Sequence, residues 1–134
     1  MKNLVFDSFA FIALFKQETG YELVKNLLTE IARNESEGYI SAINLGEIYY
    51  MISRKSNSKN AEFAIAAVKQ MPIHIIEPDI KMCLDAAQIK ANYKLSYADA
   101  FAASLTIAKK ATLITGDKEF DNLAGVKGFK VRYL

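Results

Sequence analysis

Short apolar runs alternate along this chain with longer stretches of helical period. The runs at Asn3 to Phe6, Tyr39 to Ser41, Ile73 to Ile76, Thr112 to Thr115 and Phe129 to Tyr133 have strand length, and most are rich in β-branched or aromatic residues. Between them the pattern predicts helices over roughly Phe9 to Phe15, Tyr21 to Asn34, Leu45 to Ser53, Ala61 to Met71, Ile80 to Tyr93 and Tyr97 to Lys109. Leu23, Val24, Leu27, Leu28 and Ile31 keep the i, i+3, i+4, i+7 stripe of an amphipathic helix. Strands alternating with helices imply a parallel sheet covered on both faces. The predicted fold is therefore α/β: a three-layer sandwich with a central, mainly parallel sheet of five strands flanked by helices. The one polar run, Ser53 to Asn60, reads as a loop between two helices.

Composition narrows this picture only a little. With 134 residues, of which 51% are hydrophobic, the chain can bury a core, and residues 1–134 are expected to form a single domain. A net charge of +2 neither requires nor excludes a nucleic-acid partner. The lone Cys83, in the apolar helical setting IKMCLDAA, reads as a buried, inert thiol, and with no disulfide possible within the chain a reducing, cytoplasmic location is expected. The most hydrophobic stretch, Leu4 to Phe15, is too short to span a bilayer and carries Asp7, so no membrane partner is expected.

Four carboxylates fall at comparable places in this pattern. Asp7 ends the first strand and Asp117 the fourth, whereas Glu47 and Asp99 are placed in the first turn of the helices that follow. Open parallel sheets bind ligands beyond the carboxyl ends of their strands, where strand order reverses. Each acid also has an ordinary structural reading. Asp7 and Asp117 are natural N-caps, and Asn44 to Glu47 and Ser96 to Asp99 have capping-box spacing. Two details point past capping. Asp7 is enclosed by Leu4, Val5, Phe6, Phe9 and Phe11, so it would be a buried charge that a cation could offset. Asp99 is followed by the small residues Ala100, Ala102 and Ala103, which would leave room for a ligand.

A carboxylate set without histidine or cysteine is a hard, oxygen-only donor group that suits Mg²⁺ or Mn²⁺. His74, the only histidine, lies in a strand far from the acids and reads as structural. The helix macrodipole would help hold each acid in its charged form. Such a site suits phosphodiester hydrolysis.

Asp7 after LVF, Glu47 in NLGEI, Asp99 in LSYADAFAASL and Asp117 in LITGDKEFDNL resemble, in order and context, the acidic quartet of PIN-domain ribonucleases, and most closely the VapC toxins. The likeness runs from the first strand to the last, FKVRYL. It implies a Mg²⁺- or Mn²⁺-dependent endoribonuclease acting on RNA, a cognate antitoxin protein as inhibitor, and a homodimer. Carried over residue by residue, it makes Asp7, Glu47, Asp99 and Asp117 the catalytic and metal-holding acids.

In the same stretch Asp121 would share a face with Asp117 if residues 117–122 formed an α-helical turn, making it a further metal ligand, with Glu119 turned to solvent. Ser8 and Thr115 could orient the carboxylates through their hydroxyls or bond the local backbone instead, and Gly116 would permit a tight turn. Arg54, Lys55 and Lys59, and Lys109, Lys110 and Lys118, could bind phosphates or be solvated helix ends. Tyr49, Tyr50 and Tyr97 could stack on bases or serve the core or a dimer interface.

Other readings keep part of this picture. A stand-alone RNA-processing nuclease or a DNA 5′ nuclease would use the same acids, and a non-catalytic module binding RNA or protein would use the fold alone. An aspartate-nucleophile phosphatase would need a second Asp two positions after the first, where this chain has Phe9.

Overall fold

The computed structural model describes residues Met1–Leu134. Five strands form one all-parallel sheet: β1 (Lys2–Phe6), β2 (Ser36–Ser41), β3 (His74–Ile76), β4 (Thr112–Thr115) and β5 (Val131–Tyr133), in the spatial order β3-β2-β1-β4-β5. The central strand β1 pairs with β2 through Val5 and Tyr39 and with β4 through Val5 and Leu113. The chain moves outward from β1 to β3, then returns across the sheet to β4. The order therefore reverses beside β1, and the crevice beyond the carboxyl ends of β1 and β4 is the switch point where such sheets bind ligands.

Successive side chains of a strand face opposite ways, and here both faces are covered. Leu4, Phe6, Ile40 and Ile114 pack under α1 (Ser8–Lys16), α2 (Tyr21–Ala32), α3 (Ala42–Lys55) and α4 (Ser58–Lys69), with Val24, Leu27, Ile31, Ile48 and Val68 supplied by the helices. Val5 and Leu113 face the other way, under α5 (Ile80–Asn92), α6 (Tyr97–Ala108) and a short 3₁₀ helix (Lys118–Leu123). On this side Ala100, Ala102 and Ala103 are fully buried. Their small size lets α6 lie close against the sheet, so the alanines that follow Asp99 serve packing rather than ligand access.

The boundaries differ from the sequence reading where local hydrophobicity is a poor guide. β2 begins at Ser36, three residues early, because Ser36, Glu37 and Gly38 pair with Lys2, Asn3 and Leu4 even though they form no apolar run. α3 starts at Ala42 with Ser41 as its N-cap, and α4 starts at Ser58 with Asn57 as its cap. The expected loop from Ser53 to Asn60 is thus mostly helix, interrupted at Ser56 and Asn57. α2 stops at Ala32, and Asn34 takes a left-handed backbone at φ 60. Cys83 is half-buried on α5. His74 lies on the edge strand, 2.9 Å from Glu37 Oε2 and against the Tyr39 ring, remote from the acids. No helix is long and apolar enough to cross a membrane.

Gly38 marks where α2 presses on the sheet: a Cβ there would stand 2.6 Å from Ile31 Cδ1 and 2.8 Å from Ile73 Cγ2. Overpacking of this kind typically costs about 1–3 kcal/mol. Gly38→Ala should lower the unfolding free energy by that amount, read in urea as a lower midpoint at unchanged slope.

Candidate active site

The four acids named from the sequence are brought to one place. Asp7, Glu47, Asp99 and Asp117 line a single cleft at the carboxyl end of β1 and β4, together with Ser8, Phe9, Tyr50, Arg54, Lys55 and Glu119. Each arrives by a different local device. Asp7 is the N-cap of α1, its Oδ1 accepting from the Ala10 amide at 3.0 Å. Asp99 stands in the first turn of α6, where its own amide donates to the Ser96 hydroxyl at 3.1 Å. Asp117 caps the 3₁₀ helix, accepting from the Glu119 amide at 2.9 Å.

Glu47 departs from the expected geometry. Because α3 begins at Ala42, Glu47 lies in the second turn rather than the first, and Asn44 is not the helix cap. Asn44 instead donates its side-chain amide to Glu47 Oε1 at 2.9 Å and to the Ala98 carbonyl at 3.3 Å. This fully buried side chain ties α3 to the start of α6 and fixes the glutamate between them. The i, i+3 spacing of Asn44 and Glu47 is visible in the sequence, but the link to Ala98 is not.

The two hydroxyls act on carboxylates. Ser8 Oγ donates to Glu47 Oε1 at 2.9 Å, reaching across to another helix rather than to the neighbouring Asp7. Thr115 Oγ1 donates to Asp7 Oδ2 in a short bond and accepts from the Asp117 amide at 3.0 Å. One buried threonine thus joins the acid after β1 to the backbone of the acid after β4.

The stretch DKEFD is arranged differently from the α-helical expectation. A 3₁₀ helix has three residues per turn, so the i+4 position does not return to the face of Asp117. Glu119 joins the acids instead: carboxylate oxygens of Asp99, Asp117 and Glu119 lie within 4.8 Å of one another. The bond from the Glu119 amide to Asp117 draws the two together, although Glu119 remains solvent-exposed. Asp121 is turned away and accepts from the Tyr133 hydroxyl at 2.5 Å. Gly116 does not adopt a positive φ. What its missing side chain permits is the approach of Phe9, whose Cε1 would lie 2.2 Å from a Cβ at that position.

Of the cations considered, Arg54 and Lys55 line the cleft, and Arg54 lies over the Tyr50 ring at 5.1 Å. Lys118 sits over Tyr133 at 3.7 Å and Lys109 over Tyr39 at 4.9 Å. Lys59 and Lys110 do not line the cleft. Among the tyrosines only Tyr50 does so. Tyr97 packs on Phe101 and donates to the Cys83 carbonyl at 3.1 Å, and Tyr49 is partly exposed on α3.

Burial outweighs any help from the helix ends. Asp7, 1% exposed, is pushed up to about 7 chiefly by desolvation, which the Thr115 and Ala10 bonds oppose and the charges of Asp99 and Glu47 reinforce. Asp99 is also pushed up to about 7, first by burial and then by the charges of Asp117 and Glu47. Asp7 and Asp99, both raised by burial and by neighbouring carboxylates, stand where a positive charge would relieve the crowding. An acidic cluster able to hold a divalent metal ion is present, and its donors are oxygens only, the set that hard cations take.

Asp7 and Asp99 keep protons in the folded state that they lose in the unfolded chain near 3.8, so the stability they contribute is complete below that value and is lost as pH rises through about 7. In EDTA the melting temperature should therefore fall between pH 5 and pH 8. Asp7→Asn should flatten that slope, and added Mg²⁺ should raise the midpoint at pH 8. A pH-independent melting temperature in EDTA would contradict the electrostatic account. Asn44→Ala should cost about 1–3 kcal/mol in chemical unfolding, the usual penalty for stranding buried polar partners.

The comparisons with known proteins bear on the family and the fold. The family model described as PIN domain matches residues 4–126. Among solved structures, the chain is similar to VapBC2 of Rickettsia felis bound to a DNA fragment from its promoter, with a TM-score of 0.74 at 18% identity, covering 98% of each chain. It is similar to VapC20 of Mycobacterium tuberculosis, described as a sarcin-ricin loop cleaving toxin, with a TM-score of 0.73 at 16% identity, covering 91% of this chain and 95% of the other. DNA-bound VapBC of Salmonella typhimurium gives a TM-score of 0.73 at 14% identity, with 99% and 98% covered. No curated protein matches by sequence. The structural likenesses, all at low identity, establish the fold, and the match of the family model over nearly the whole chain shows that it belongs to the PIN domain family.

Proposed function

We propose that this protein is a metal-dependent endoribonuclease that hydrolyses RNA phosphodiester bonds, and that it is the toxin of a toxin-antitoxin pair. The observation that carries the reading is the gathering of Asp7, Glu47, Asp99, Asp117 and Glu119 around one cleft at the switch point of a parallel sheet. Asp99, Asp117 and Glu119 would hold the ion directly, with Asp7 and Glu47 completing the negative pocket. Relative to the sequence expectation, Glu119 takes the place of Asp121. The ion is Mg²⁺ or Mn²⁺, since all available donors are carboxylate oxygens. When bound it would supply positive charge against the phosphoryl oxygens and make an attacking water more acidic.

The chain's own residues prepare that chemistry. Thr115 and the Ala10 amide hold Asp7, while Ser8 and Asn44 both hold the same oxygen of Glu47, so the carboxylates are oriented before any ligand arrives. Arg54 and Lys55 stand at the cleft with their charge available to the phosphates on either side of the scissile bond. The toxin role and an antitoxin partner rest on likeness to the VapBC complexes. A homodimer and a cytoplasmic location follow from the same reading.

Purified protein incubated with total RNA should give discrete cleavage products in Mg²⁺ and none in EDTA. Asp99→Asn should reduce that cleavage to background while the protein remains folded by circular dichroism. Identical products with and without chelator would overturn the metal mechanism. Cleavage of single-stranded DNA in preference to RNA would move the protein to another nuclease class. Coexpression of a cognate antitoxin, sought as a short reading frame adjacent to this one, should suppress the activity.

A further inference from the structure

Exposed aromatic side chains occur elsewhere in this chain, as at Phe63 on α4, but Phe9 is the phenylalanine at the cleft. Phe6, Phe11 and Phe120 are fully buried, yet Phe9, two residues after the most buried acid, is 45% exposed at the carboxylate cleft. Single exposed apolar residues are common and need no account. Phe9 differs because its ring is seated. A Cβ on Gly116 would lie 2.2 Å from its Cε1, 2.7 Å from its Cδ1 and 2.9 Å from its Cζ, so the ring rests on the backbone immediately before Asp117. Any side chain at position 116 would displace it. The cleft has a second aromatic feature in Tyr50, also 45% exposed, with the Arg54 guanidinium 5.1 Å from its ring centre. The cleft therefore combines carboxylates, two cations and two accessible rings.

Unpaired RNA is recognised largely by stacking its bases on aromatic side chains while cations follow its backbone. A ring already fixed in position loses little freedom when a base covers it. We propose that Phe9 is a base-stacking shelf. Its exposed face receives an unpaired base next to the phosphodiester held at the carboxylates, and Gly116 keeps the ring in place. The proposal rests on the ribonuclease reading. It makes single-stranded RNA, with a base free to leave its helix, the preferred substrate, and it makes Phe9 a specificity residue rather than a member of the metal-holding set.

The test uses the protein of this sequence and short single-stranded oligoribonucleotides, together with a series in which single positions are abasic. Binding is followed by fluorescence anisotropy in Ca²⁺, and cleavage is followed in Mg²⁺. Phe9→Ala should weaken Kd about 5- to 150-fold, the range for one stacked base, and raise KM with kcat little changed. Phe9→Trp should restore binding. Phe9→Leu keeps apolar bulk without an aromatic face and should behave like Ala, a result that a purely structural role would not give. One abasic position beside the cleaved bond should weaken binding by the wild type but add nothing to the loss in Phe9→Ala. Gly116→Ala should reproduce part of the defect.

Cleavage by the wild type with a KM unaffected by Phe9→Ala, or full rescue by Phe9→Leu, would overturn the shelf and leave the nuclease reading standing. RNA binding with the expected Phe9 and abasic coupling, but without cleavage, would support the shelf and overturn the nuclease. Neither binding nor cleavage of RNA would overturn both.

Discussion

The molecule is organised around a carboxylate that has almost no contact with water. Asp7 follows directly on the central strand, is 1% exposed, and has its two oxygens held from different directions by the Ala10 amide and the Thr115 hydroxyl. A buried carboxylate is costly unless it is hydrogen-bonded, neutralised or paired. That requirement fixes the start of α1 relative to β1 and the end of β4 relative to both. The same threonine accepts the amide of Asp117, so the constraint on one acid becomes a constraint on the position of the next.

A similar economy operates across the cleft. Glu47 sits on a helix that packs against the face of the sheet opposite to α6, and the two helices meet above the strand ends. Asn44 joins them there, donating to Glu47 and to the backbone just before Asp99. Three acids thus depend on two buried polar side chains, Asn44 and Thr115, and the core beneath them is almost wholly apolar. The switch in strand order beside β1 leaves the opening into which all of these groups project. The electrostatic result is that burial and the neighbouring carboxylates raise the pKa of Asp7 and Asp99, in a cleft where a cation would be favoured.

The reading of the sequence succeeded where the signal was local and apolar. Five short β-rich runs became five strands, and alternation with helices correctly implied a parallel sheet, because both faces of such strands must be buried. It failed at Ser36 to Gly38, which pair in register without being hydrophobic, and at Ala42 to Asn44 and Ser58 to Asn60, where the helices begin directly behind the Ser41 and Asn57 caps. The small residues after Asp99 suggested access for a ligand, and they prove to be the contact of α6 with the sheet. For the early strand pairing and the alanines the deciding partner lies elsewhere in the chain, whereas the helix starts are set by the adjacent caps.

The candidate site divides in the same way. Sequence alone determined the order of the elements, the PIN-like pattern and the places of Asp7, Glu47, Asp99 and Asp117 near strand ends and helix starts, since strand period, helix period and capping are properties of neighbouring residues. Only the tertiary structure decided which further carboxylate of DKEFD comes beside Asp99 and Asp117. The segment winds as a 3₁₀ helix rather than an α-helix, Asp117 draws in the Glu119 amide, and Tyr133, brought alongside by β5, takes Asp121 away. It alone also seated Phe9 on Gly116, two residues more than a hundred positions apart, through a contact that no local pattern encodes.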